Sequence, residues 1–249
     1  AEVSSIAAEL RDNTRVIYME SPGSTLFRLL SITDICAVAK NRGIITVLDN
    51  TVSSPLLQKP LTLGVDLVLH SCSKYIGGHS DVVGGALIGS NKLVKAIFYK
   101  SYMLLGAVMA PFNAWLLLRG LMTLPTRMQR HHDDALTLAT YLKSHTRVTT
   151  VFHPAFEETD LMNRQMRGHS GLFSVCVDVR DFGELLKTAN RLELFGKAVS
   201  WGGVESLVMT GHKSVPGEAE ARVPMNLLRL SVGLEGTDNL IADLERALS

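Results

Sequence analysis

Two short apolar runs, each ending in polar residues, restrict what this chain can fold into more than any other feature. Ile44-Ile45-Thr46-Val47-Leu48 runs into Asp49-Asn50-Thr51, and Val65-Asp66-Leu67-Val68-Leu69-His70 runs into Ser71-Cys72-Ser73-Lys74. The first run is apolar enough to be buried on both faces, the habit of strands in parallel sheets covered by helices. Before it the period becomes helical: Ile32, Ile35, Val38 and Ala39 share a face, Ser31 or Thr33 is placed to cap the helix and Gly43 to stop it. Residues 15–19 give an earlier strand, and residues 1–10 the end of a helix. This alternation predicts an α/β fold with a mainly parallel sheet. In such sheets ligands bind at the carboxyl ends of strands, where Asp49 and the 71–74 loop both stand.

Lys74 is the residue of greatest chemical interest in that loop. A lysine at the end of an apolar strand, among hydroxyls and glycines, is set for reaction with a carbonyl once burial lowers its pKa. Lys+Arg 25 against Asp+Glu 24 leaves a formal charge of +1, and no block of like charge is long enough to track a phosphate backbone, so a nucleic-acid partner is not expected. Three separated cysteines, Cys36, Cys72 and Cys176, fit neither a disulfide framework nor a zinc site and suit a reducing cytoplasm. The apolar tract 102–118 is interrupted by Gly106, Pro111 and Asn113, so it predicts a buried loop and helix start in place of a membrane span.

A change of character follows Pro111. A long helix is expected over about 113–145, linking a first unit at 1–120 to a second at 121–249. In the second unit, 172–179 predicts a strand, 182–194 a helix, and 198–201 with 205–210 extended segments. Residues 226–232 alternate, with Leu228, Leu230 and Val232 on one face and Arg229 and Ser231 on the other, before a terminal helix at 238–248.

Five strings stand in one order along nearly the whole chain: Glu20-Ser21-Pro22-Gly23-Ser24, Leu48-Asp49-Asn50-Thr51, Ser71-x-Ser73-Lys74-Tyr75-x-x-Gly78-His79-Ser80-Asp81, Gly106-Ala107-Val108-x-x-Pro111-Phe112 and Arg229-Leu230-Ser231-Val232-Gly233-Leu234-Glu235. Together they resemble the Cys/Met-metabolism family of pyridoxal 5'-phosphate (PLP) enzymes. The resemblance implies an aspartate-aminotransferase-like fold of type I, with a mainly parallel cofactor domain that here lacks its N-terminal part and a smaller C-terminal α/β domain. It implies that Lys74 holds the cofactor covalently and moves the substrate's α-proton, and that Asp49 pairs with the pyridinium nitrogen. Ser71 and Ser73 are implied to contact the cofactor phosphate, Arg229 to grip the substrate α-carboxylate, and Ser200 with Trp201 to line the substrate pocket. The family's remaining cofactor contacts are expected upstream of Ala1.

Within the family, Gly23 and Trp201 resemble the cystathionine β-lyase branch. The implied activity is a carbon–sulfur lyase that converts L-cystathionine by α,β-elimination to homocysteine, pyruvate and ammonia in methionine biosynthesis. A γ-synthase or γ-lyase reaction, or an inactive subunit, are the alternatives. An amino-acid thioether substrate and a homo-oligomer, dimer or tetramer, are the implied partners. No metal is expected: His131-His132-Asp133-Asp134 has ligand residue types, but neighbours on a helix point about 100° apart, so a solvated helix face is the expectation. Neither Gly168-His169-Ser170-Gly171 nor Gly78-His79-Ser80-Asp81 completes a Gly-x-Ser-x-Gly elbow, which argues against a serine hydrolase.

Overall fold

The computed structural model describes residues 3–156, 159–211 and 223–249. Helix α1 (Val3–Glu9) leads into strand β1 (Val16–Glu20), helix α2 (Ile32–Asn41), strand β2 (Ile45–Asp49), a short helix α3 (Ser54–Leu57), and strands β3 (Leu67–Ser71) and β4 (Gly85–Gly89). These strands form one sheet in the order β1-β2-β3-β4. The first three are parallel, and β4 runs antiparallel to β3. Helix α2 exists because its apolar stripe has a sheet to cover: Ile32 and Ile35 are fully buried against Met19, Leu48 and Val68. Cys36 joins that stripe, whereas Val38 is only half-buried. Glu20 is in register with Asp49, and Asp49 with Leu69, so the three parallel strands end at one edge.

Helices α4 (Asn91–Ile97) and α5 (Met103–Leu105) precede the long helix α6 (Pro111–Lys143). The tract 102–118 is not buried as its composition suggests. Leu104 and Leu105 are 78% and 79% exposed, and Phe112, Trp115 and Leu118 face outward from α6 while Leu117, Gly120 and Leu124 face inward. Both faces of this helical segment are apolar, so its periodicity carries no sign of which one is covered. No helix among the described residues is long and apolar enough to cross a membrane.

The second sheet is built from β5 (Val148–Phe152), β6 (Leu172–Val177), β7 (Gly196–Lys197), β8 (Leu207–Thr210) and β9 (Leu227–Ser231), interleaved with α7 (Thr159–Gln165) and α8 (Phe182–Arg191) and closed by α9 (Thr237–Leu248). Its order is β5-β6-β9-β8-β7, antiparallel except for the β7–β8 pair. The extended segment expected at 198–201 is a loop, and the strand lies just before it. Phe173, Val175, Leu228 and Leu230 turn one face of the sheet to α6, α8 and α9. The other face turns to the first unit: Ser174 Oγ donates to Thr25 O at 2.7 Å, and Arg229 Nη1 to Ser24 O at 3.2 Å. Helix α6 runs unbroken through residues 120 and 121.

The expectation of a solvated face at 131–134 fails for a related reason. His131 and Asp134 are three positions apart on α6, share its inner side and are 0% and 3% exposed. His131 Nδ1 bonds Val232 O at 2.7 Å, and Asp134 accepts from Arg130 and from Thr237 of α9. His132 stacks on His169 at 3.9 Å between centroids, and His153 meets His169 edge-on at 4.1 Å. Burial first, then the neighbouring imidazoles, push His153 down to about 2 and His169 down to about 4.

These depressed values predict acid lability. In the unfolded chain a histidine takes a proton near pH 6.5; in the fold His169 and His153 resist it until far lower pH, so protonation favours the unfolded state. Their contribution is fully present above about pH 6.5 and is lost as pH falls toward about 4 for His169 and about 2 for His153, at up to about 1.4 kcal/mol per pH unit per histidine. Urea unfolding from pH 7.5 to 5 should show this slope, and His153→Phe should lessen it. Equal slopes in the two proteins would contradict the assignment.

Candidate active site

Asp49 stands at the carboxyl end of β2, where its Oδ1 accepts from Thr51 N at 3.0 Å and also from the Thr51 hydroxyl. Thr51 Oγ1 in turn accepts from Ser71 N at 2.8 Å. One threonine therefore joins the ends of β2 and β3. Asp49 Oδ2 accepts from the phenol of Tyr18, an exposed residue on β1, at 3.2 Å.

The turn after β3 projects Lys74 into the space between the two sheets. Its backbone is closed by Lys74 N to Ser71 O at 3.2 Å, Gly77 N to Cys72 O at 2.8 Å and Gly78 N to Lys74 O at 2.8 Å. Lys74 Nζ donates to Ser200 Oγ at 2.8 Å and lies 5.2 Å from the centre of the Trp201 ring, within cation–π range. Below the lysine, Tyr75 is 1% exposed, tilts against Trp201 and His131, and accepts from Gly171 N at 3.0 Å. Burial, then the charge of Arg229, lowers the Lys74 pKa from the ordinary lysine value. A larger share of neutral amine, the form able to take a proton or attack a carbonyl, follows.

Arg229 reaches the same space from β9, donating to Ser24 O and to Val199 O. It is 6% exposed, not solvated as an arginine on the polar face of an alternating strand often is. Glu20 ends β1 beside it. Burial raises the Glu20 pKa, partly offset by Ser24, and Asp49 raises it further. Two cations and two carboxylates thus converge at one strand edge.

The structure brings Lys74, Ser200, Trp201 and Arg229 together, with Asp49 and Ser71 linked beside them through Thr51. Ser73 is placed differently: its hydroxyl accepts from Gly84 N at 3.0 Å and donates to Gly84 O at 3.3 Å, bracing the approach to β4. Thr51, Tyr18, Glu20 and Tyr75 were missed by sequence reasoning. Thr51, Glu20 and Tyr75 lie inside the strings quoted above, but what they do passes through tertiary hydrogen bonds, packing and charge that a string does not display. Among the described residues no cluster of His, Cys, Asp or Glu is arranged to hold a metal.

The donor set fits PLP. It offers an amine of lowered pKa, a carboxylate fixed at a strand end, a serine beside it and a buried arginine facing the same space. Comparison with known proteins agrees. The family model described as "Cys/Met metabolism PLP-dependent enzyme" matches residues 1–249. The chain is 40% identical to a cystathionine gamma-synthase of Mycobacterium leprae, covering 100% of this chain and 66% of the relative, and 38% identical to a cystathionine beta-lyase of Coxiella burnetii, covering 94% and 63%. The crystal structure of metB from Corynebacterium glutamicum superposes with a TM-score of 0.93 at 34% identity, over 99% of this chain and 66% of that one. The chain thus spans just under two thirds of the length of these relatives.

Gly202 reveals how tightly the site is closed. It sits at φ +85°, and an added Cβ would lie 2.9 Å from Tyr75 N and 3.1 Å from the Lys74 carbonyl carbon. Backbone atoms cannot move aside cheaply, so Gly202→Ala should cost about 1–3 kcal/mol in urea unfolding. A loss under about 0.5 kcal/mol would show that the lysine turn is not held against this loop.

Proposed function

Because the chain belongs to the Cys/Met-metabolism family of PLP-dependent enzymes, we propose that it carries the reacting lysine of a carbon–sulfur lyase acting on L-cystathionine by α,β-elimination, with homocysteine, pyruvate and ammonia as products in methionine biosynthesis. Residues 1–120 then supply the cofactor side of the site and residues 121–249 the substrate side. Lys74, Asp49, Ser71 and Ser73 would hold PLP, the Ser73 hydroxyl also bracing the loop at Gly84. When bound, PLP supplies an electron sink that lets the substrate's Cα proton leave.

The chain's own residues account for the rest. Arg229 offers a planar fork to the substrate carboxylate and fixes which group faces Lys74. The Lys74 amine, kept partly neutral by burial and by Arg229, accepts the Cα proton at Nζ. Thr51 fixes the Asp49 carboxylate at the end of β2, where it would pair with the protonated ring nitrogen of the cofactor. One observation favours β-elimination: Lys74 Nζ is held at one station by Ser200 and the face of Trp201. Elimination at the β-carbon asks the base to serve Cα, whereas γ-chemistry asks it to serve Cβ as well. The second reading, γ-replacement, draws on the cystathionine gamma-synthase names of relatives at 40–42% identity.

A homo-oligomer is part of this proposal. Leu104, Leu105, Phe112, Trp115 and Met122 are exposed apolar side chains, with Phe112 stacked on Trp115, and such surface suits contact with a second copy of the chain. Three buried, unpaired cysteines support a reducing cytoplasm.

Product analysis tests the reaction. With PLP and L-cystathionine, pyruvate should form and 2-oxobutyrate should not; cystathionine formed from cysteine and an activated homoserine would favour γ-replacement. Lys74→Ala should lower turnover by at least about a thousandfold while leaving the fold intact, as loss of an essential acid–base group does. An active Lys74→Ala protein would overturn the role given to this lysine.

A further inference from the structure

Arg127 is a buried cation that the chemistry above does not use. It projects from α6 with 6% exposure and donates to three neutral oxygens: Nη1 to Tyr75 O at 2.8 Å, Nη2 to Gly120 O at 2.8 Å and Nε to Thr123 Oγ1 at 3.0 Å. Among the described residues it forms no ion pair, and burial lowers its pKa. A guanidinium buried without a counter-ion costs several kcal/mol in desolvation, offset only when its donors are met. Here the three oxygens span two structural elements.

The position of those oxygens gives the arrangement its meaning. Tyr75 O belongs to the residue directly after Lys74. The guanidinium also lies flat on Gly78, where φ is +73° and an added Cβ would sit 2.1 Å from Nη1. Gly120, seven residues before Arg127 on the same side of α6, presses as closely: a Cβ there would lie 2.3 Å from Ile76 O and 2.5 Å from Gly77 O. Helix backbone therefore touches turn backbone with no side chain between them, and Arg127 bolts the two together. Pro125 lies in the same stretch and has no N–H to give the helix. Gly120 O takes both Arg127 Nη2 and the Thr123 hydroxyl, at 3.3 Å, so side-chain donors meet the helix backbone one residue before Leu121, whose carbonyl Pro125 leaves without its helical donor.

We propose that Arg127 is a positioning residue for Lys74. Its planar fork ties α6 to the turn 74–78 and thereby keeps Lys74 Nζ at Ser200 and over Trp201. The inference rests on Lys74 being the reacting lysine. A lysine at 127 would keep the charge but supply one point contact in place of a fork, so Arg127→Lys separates geometry from charge.

The test uses the full chain without cofactor. Lysines are reductively methylated with 13C-formaldehyde, the Lys74 signal is identified by its absence in Lys74→Arg, and its titration is followed by NMR in wild type, Arg127→Lys and Arg127→Met, with circular dichroism confirming the fold. In wild type Lys74 should titrate below the other lysines. Both Arg127 variants should raise its midpoint by about one pH unit, leaving about tenfold less neutral amine at neutral pH. A purely structural role would lower the melting temperature and leave that midpoint in place, so a wild-type midpoint in folded Arg127→Lys overturns the proposal. If neither arginine variant folds, Thr123→Val decides, by a smaller shift in the same direction or by none. Failure of the functional reading would look different: the loaded wild-type protein would not turn over, while the titration would still report on the tether.

Discussion

The contact between the backbone of helix α6 and the turn that carries Lys74 is the constraint on which the rest of this structure depends. Gly120 and Gly78 allow the approach, and Arg127 fixes it with hydrogen bonds to Tyr75 O and Gly120 O. Gly202 also approaches this turn, at Tyr75 N and the Lys74 carbonyl carbon. Tyr75 fills the space beneath, bonded to Gly171 and packed on Trp201 and His131. A turn so enclosed has little freedom, and that is how a flexible four-carbon side chain ends with its amine at a defined place. Preorganisation of this kind lowers the entropic cost of bringing a base to a proton.

Electrostatics complete what packing begins. Lys74 and Arg229 share one space, where burial and the charge of Arg229 disfavour the ammonium, while Glu20 at the end of β1 favours the guanidinium. The lysine yields because an ammonium loses its proton far more readily than a guanidinium. In the proposed reaction Arg229 keeps its charge for the substrate carboxylate, and Lys74 is the group that exchanges a proton. The two roles follow from the difference in chemistry between the two cations under the same burial.

Much of this was legible in the sequence because parallel strands announce themselves. The run 44–48 is apolar on both faces, so its end at Asp49 locates a ligand edge, and Lys74 falls at the next strand's end in the same way. Strands β4 and β5 were not legible. Gly85–Gly89 is short and bounded by glycines, and Val148–Phe152 carries two threonines that read as a polar connection after a long helix. The tract 102–118 and the 131–134 cluster failed for the reason common to helices: composition tells which side chains are apolar, not which face another element will cover. Thr51 and Arg127 lay beyond reach because each acts through a backbone group distant in sequence, Thr51 on Ser71 N and Arg127 on Tyr75 O.

The central claim is that Lys74, set apart from the other lysines by burial and by Arg229, is the one that bonds PLP. Adding PLP to the full chain, reducing with borohydride and mapping the labelled peptides by mass spectrometry tests this most directly. The account predicts label concentrated on Lys74 at low PLP concentration, with exposed lysines such as Lys92 and Lys95 labelled only at higher concentration. Labelling that spares Lys74, or that spreads over the surface lysines with no preference for it, would contradict the account.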